Sequence, residues 1–140
     1  MKRALLLLII TVSLFSCSKD EEKAKTLTSN TWKFTKMTLH GQPSSTLGNT
    51  IPYLKFNEDL SMKTIVFDAN NNIILDDVTT YELKNNVLIE FGNNKLINFN
   101  VNTMICTYMI LNNKTLQLTI SDQVVLEFEP DDLDISKLQK

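Results

Sequence analysis

One histidine, two cysteines, three glycines and no arginine beyond Arg3 are what this chain of 140 residues offers to chemistry. The lone imidazole, His40, has no second histidine and no available cysteine to complete a four-coordinate zinc site. It also leaves no pairing for serine–histidine or cysteine–histidine catalysis. Gly41, Gly48 and Gly92 stand apart, which excludes a glycine-rich phosphate cradle. Without guanidinium forks or a basic face, at net charge −2, the chain carries no nucleic-acid footprint. Carboxylates pair at Asp76-Asp77 and Asp131-Asp132, but neighbours in a strand point to opposite faces and do not converge on a substrate. The loop pattern of a calcium hand is absent too. No catalytic residue, metal site or cofactor is expected, and no enzymatic activity.

Long apolar runs are also scarce. The one present, Ala4 to Leu14, follows Lys2 and Arg3 and is broken only by Thr11 and Ser13. Eleven helical residues rise roughly 16 Å, about half the hydrocarbon thickness, so the run reads as a signal-peptide core and not a span. It ends in Leu14-Phe15-Ser16-Cys17, which resembles the lipobox of bacterial lipoproteins. The resemblance implies removal of residues 1–16 and lipidation of Cys17 by diacylglycerol and an N-acyl chain such as palmitate. The membrane is then a partner through that anchor. More than one chain anchors stably, at about 0.8 kcal/mol per buried methylene. Ser18-Lys19-Asp20-Glu21-Glu22 resembles the acidic export tag of Bacteroidetes lipoproteins, which implies the outer membrane and its outward face. By composition alone, residues 17–26 read as a charged, flexible tether, since Lys19 to Lys25 has no apolar stripe beyond Ala24.

Once cut, the chain keeps 124 residues, enough for one domain, with twelve lysines against sixteen carboxylates. Cys106, in Met104-Ile105-Cys106-Thr107-Tyr108, has no partner for a disulfide and reads as a small buried apolar residue. Fifteen asparagines, many in pairs, stand between short β-branched and aromatic runs. Asparagine tolerates left-handed backbone, so Asn70-Asn71-Asn72, Asn85-Asn86, Asn93-Asn94 and Asn112-Asn113 mark hairpin corners. Breaks every eight to twelve residues or so are the rhythm of a sandwich or barrel.

Period-two alternation predicts strands over Thr31–Leu39, Tyr53–Phe56, Ser61–Asp68, Val78–Leu83, Val87–Phe91, Lys95–Val101, Met104–Leu111, Thr115–Ser121 and Gln123–Glu129. In the first, Trp32 and Phe34 share a face that Met37 and Leu39 leave, which predicts a bulge near Thr35-Lys36. Val87, Ile89 and Phe91 are expected to point together. Met104–Leu111 is apolar on both faces. Short links make every neighbour antiparallel and the topology a meander. No ten-residue helical period is evident. Asp131 to Leu138 reads as one exposed helical turn or a loose tail.

The body, residues 27–130 ahead of a tail at 131–140, resembles the lipocalin-like domains of small Bacteroidetes lipoproteins. The likeness rests on Leu27-Thr28-Ser29-Asn30-Thr31-Trp32-Lys33, on Tyr53-Leu54-Lys55-Phe56-Asn57-Glu58-Asp59, on Tyr81 to Ile89 and on Leu116 to Ile120. Asn30 or Ser29 stands where that family carries a glycine before the tryptophan. The resemblance implies an all-β, up-and-down barrel of about eight strands, whose interior either holds one small hydrophobic ligand or is filled by side chains. Trp32, Phe34, Tyr53 and Tyr108 are the expected ligand lining. A filled barrel would instead serve as a non-catalytic envelope module that binds a protein partner. Gly41 to Pro52, the longest stretch without pattern, is either a loop folded over the mouth, with Leu47 and Ile51 as a cap, or a plain surface loop.

Overall fold

Residues 21–29 are helical and form α1 (Glu-Glu-Lys-Ala-Lys-Thr-Leu-Thr-Ser) in the computed structural model, which describes residues 21–45, 47–84, 87–91, 103–121 and 123–140. The tether expected through residue 26 is therefore ordered from Glu21 onward. Glu, Lys and Ala are strong helix formers, and acidic residues precede the lysines, in the sense the helix dipole favours. An apolar stripe is missing because one anchor suffices: Leu27, fully buried, is the helix's contribution to the core. Asn30 ends the helix by donating from its amide to Thr26 O at 2.9 Å.

Nine strands follow among the described residues: β1 (Thr31–Leu39), β2 (Gln42–Ser44), β3 (Ile51–Phe56), β4 (Ser61–Phe67), β5 (Ile73–Lys84), β6 (Val87–Phe91), β7 (Thr103–Leu111), β8 (Thr115–Ser121) and β9 (Val124–Asp131). Each pairs antiparallel with its neighbour, and β1 pairs with β9 from Thr31↔Asp131 to Leu39↔Val124, which closes the sheet into a ring. On its other side β1 meets β3 with its first half and β2 with its second, so β2 and β3 share one place and the barrel is eight strands round. The predicted bulge is present: Phe34 faces Phe128, Lys36 faces Glu127, and Thr35 is the extra residue. It turns Trp32 and Met37, of opposite parity, toward the same interior.

Several expectations are revised. Gln42–Ser44, inside the expected loop, is a strand, because His40 and Gly41 both adopt positive φ (51° and 76°) as a two-residue primed hairpin requires. β5 begins five residues before Val78. In β6 it is Leu88, fully buried and opposite Leu83 and Cys106, that enters the core, which sets Val87 on the other parity. Cys106 is buried as read. The strand expected at Lys95–Val101 lies outside the described residues, as do the turns at Asn85-Asn86 and Asn93-Asn94. Other asparagine corners act as expected: Asn71, Asn112 and Asn113 have positive φ, and Asp68 Oδ1 accepts from Asn70 N and Asn72 N at 2.8 Å each.

Two apolar clusters result. The inner one fills the barrel with Trp32, Phe56, Tyr81, Leu88, Leu116 and Phe128, each at most 2% exposed. The outer one joins Tyr53 and Ile65, on the outward face of β3 and β4, to Ile135 of a 3-10 turn (Ile135–Lys137). The C-terminal segment is thus not a loose tail: the expected helical turn is present as this 3-10 turn, with Ser136 and Lys137 exposed, but Ile135 anchors it to the barrel. The segment is a strap laid across β3, β4 and β5, with Leu133 and Leu138 packed beside Ile135. Lys63, 3.6 Å from Asp76, donates to Leu138 O, and Lys140 Nζ donates to Ile74 O at 3.0 Å.

Asp134 caps the 3-10 turn by accepting from Ser136 N. The Ser136 hydrogen bonds, then Lys137, hold its carboxyl down at about 2. A depressed carboxyl favours the folded form above the ordinary carboxylate range and loses that contribution as pH falls through its folded value. The strap turn should therefore loosen between about pH 3.8 and 2 while the barrel signal persists, measurable as amide exchange at Ser136 against pH.

Candidate functional site

Strand directions place two different ends on the barrel. At one end lie the β1–β2 turn and residues 47–50, where Leu47 packs onto the inner cluster while Ile51, in β3, joins the outer one. Only Leu47 of the expected pair reaches the interior. At the other end lie α1, the β3–β4 turn at Asn57 to Leu60 and the β7–β8 turn at Asn112 to Lys114.

α1 is fastened over its end by side chains from the barrel. Trp32 Nε1 donates to Leu27 O at 2.9 Å from a fully buried ring. Lys55 of β3 donates to Thr28 O at 2.8 Å and Asn30 O at 3.2 Å, placing a cation at the carbonyl end of the helix. Between helix and barrel a cleft of about 390 Å³ is lined by Ala24, Lys25, Thr28, Glu58, Leu60, Tyr81 and Leu83. That volume lies within the roughly 300–1,000 Å³ typical of small-molecule pockets, but the cleft is shallow and open to solvent along one side. Its floor is apolar, and Lys25 and Glu58 are its charged residues. Tyr81 forms the back wall, held by a hydrogen bond from its hydroxyl to Asn57 O at 2.8 Å and by an edge contact with Phe56 at 5.1 Å. Burial, and after it the charge of Asp59, pushes the Tyr81 hydroxyl above its ordinary value, so it stays a neutral donor. A smaller hollow of about 240 Å³ lies between Lys23 and β7–β8, beside Tyr108, Ile110 and Gln117.

Leu60, at the cleft, is 48% exposed with φ of 64°. A leucine in the left-handed region costs roughly 1–2 kcal/mol, and such outliers gather at functional sites. Leu60→Gly should therefore leave thermal stability unchanged or raise it by up to about 1 kcal/mol, while emptying part of the cleft lining. A lower melting temperature would show that the side chain holds the turn.

The four expected lining residues do not form one site. Trp32 is a core residue sealed beneath Leu27, and Phe34 packs edge-on against Phe128 at 5.7 Å. Tyr108, 6% exposed, belongs to the inner cluster and borders the smaller hollow. Tyr53 is a correction: it faces outward, edge-on to Phe67 at 5.6 Å beneath the strap. The alternation that turns Leu54 and Phe56 inward forces Tyr53 outward. Alternation also separates Asp76, beside Lys63 on the outer wall, from Asp77, which sits opposite buried Thr64. Lys25, Leu60 and Leu83 are lining residues that alternation does not single out; for Lys25 the one available signal is the helix-forming composition ahead of Leu27. Cys17 lies outside the described residues.

No protein-family model matches the sequence, and no curated protein matches it. Among solved structures, the chain is similar to a lipocalin-like protein from Bacteroides uniformis ATCC 8492. The TM-score is 0.61 at 13% identity, over 76% of this chain and 99% of that one. That likeness defines the class of fold: a closed, antiparallel, lipocalin-like barrel.

Proposed function

We propose that this protein is a non-catalytic binding module, lipid-anchored through Cys17 at the outer face of the outer membrane, that takes a small apolar ligand in the cleft beneath α1. The observation that carries the reading is the cleft itself: apolar at Ala24, Leu60, Tyr81 and Leu83, with Lys25 and Glu58 available for a polar end. The axis of the barrel is a poorer candidate, because Trp32, Phe56 and Phe128 fill it with fully buried rings. The same filling favours a second reading, a rigid envelope module that binds a protein partner and no small molecule.

The barrel wall supports a body that stands beside a membrane. Lys36, Glu82, Glu127 and Glu129 stand on the outer wall, and the outer apolar cluster is covered by the strap, so the wall lacks the continuous apolar band of a barrel embedded in lipid. Among the described residues no helix is long and apolar enough to cross a membrane. Thermal unfolding against a panel of fatty acids, sterols and polyenes tests ligand binding, since a ligand of the native state raises the midpoint by mass action. Leu83→Trp, which adds bulk to the cleft wall, should abolish the shift. Because Leu83 also packs on the inner cluster, the unliganded variant is expected to lose the roughly 1–3 kcal/mol of overpacking, and the shift is read against that lowered midpoint. No shift with any apolar compound favours the protein-partner reading.

A further inference from the structure

Three of the five large apolar side chains exposed among the described residues, Leu60, Met109 and Leu111, lie at the helix-covered end. Leu60 tips the β3–β4 turn, and Met109 and Leu111 share the outward face of β7 where that strand ends. Charge at this end is nearly balanced: Lys23, Lys25, Lys55, Lys84 and Lys114 stand against Glu21, Glu22, Glu58, Asp59, Asp131 and Asp132. Exposed apolar side chains set around a rim of nearly balanced charge fit a neutral lipid boundary better than an anionic partner. The chain also limits where this end can be. From Cys17 to Glu21, the first described residue of α1, an extended backbone reaches at most about 14 Å. Resting on the anchored reading above, the lipid on Cys17 keeps α1 and its end of the barrel within that distance of the bilayer, with the β1–β2 turn on the far side.

We infer that the helix-covered end is a membrane-contact surface. Leu60, Met109 and Leu111 enter the boundary between headgroups and chains, and the exposed Lys84 and Lys114 extend their charges back to water. The cleft beneath α1 then opens onto lipid, and the apolar molecule it takes is an acyl chain drawn from the bilayer.

The lipidated full chain in phosphatidylcholine vesicles tests this, with an environment-sensitive dye attached through Met109→Cys, Leu111→Cys or, on the side wall, Val78→Cys. All three positions are exposed, whereas Cys106 is 2% exposed and shielded from the dye. Nitroxide at the headgroup level should remove most emission at positions 109 and 111, with a blue shift, and spare position 78. High salt should change neither result. A chain that floats with the vesicles but keeps all three dyes bright overturns the inference and leaves anchoring intact. Equal quenching at all three positions lays the barrel on its side and overturns it as well. A chain that does not float, with Cys17 unmodified by mass, overturns the inference and the anchored reading together.

Discussion

Trp32→Ala is expected to destabilise the protein by about 3–5 kcal/mol, the range for removing a large, fully buried aromatic side chain. The indole is 0% exposed within the inner cluster, so the void cannot fill with water at low cost. Its loss also leaves Leu27 O without the Nε1–H donor that ties α1 to β1. That hydrogen bond adds roughly 1 kcal/mol and an orphaned carbonyl at a helix end. Against a total stability of about 5–15 kcal/mol for a domain, the variant should be partly unfolded at physiological temperature. Trp32→Phe separates the two effects: it keeps most of the volume, loses the donor and should cost about 1–2 kcal/mol. Urea unfolding followed by circular dichroism reads both. A cost below about 1 kcal/mol for the alanine variant would mean that the barrel interior is loosely packed around Trp32.

Ile135→Asp should release the strap without unfolding the barrel. An unpaired carboxylate between Tyr53 and Ile65 would cost several kcal/mol, more than the contacts of the 3-10 turn return, so undocking is the lower-energy outcome. The loss is then capped at the docking energy of the strap, about 2–4 kcal/mol by comparison with isoleucine truncation. Proteolysis should cut within residues 132–138 of the variant while the β-sheet dichroism stays intact. If the sheet signal collapses with the strap, the outer cluster is part of the barrel's own folding unit.

The barrel was legible in the sequence because alternation and turn chemistry agree along most of the chain. Leu116, Leu118 and Ile120 against Gln117 and Thr119 locate β8 to the residue, and the parity change between Phe34 and Met37 locates the bulge. Asparagines at positive φ did the work glycine usually does. What stayed hidden was whatever alternation does not encode. α1 buries one leucine across the end of a barrel, so it needs no stripe, and its Glu-Lys-Ala run has the same composition as a solvated tether. The strap packs through three apolar residues spaced irregularly, which no periodicity reveals. The candidate site inherits the first gap: the cleft is made where α1 meets the β3–β4 turn, segments adjacent in the ring but distant in sequence. Tyr53 shows the opposite failing. Its chemistry suits a ligand, yet its parity already placed it outside.

The most direct test of the account is where an apolar ligand sits. A fatty acid carrying a photoactivatable group along its chain, bound to the lipidated protein and irradiated, should give adducts on Ala24 to Thr28 and on Glu58 to Leu60, lost in Leu83→Trp. Adducts instead on Met37, Leu118 or Ile120, inside the barrel, would contradict it.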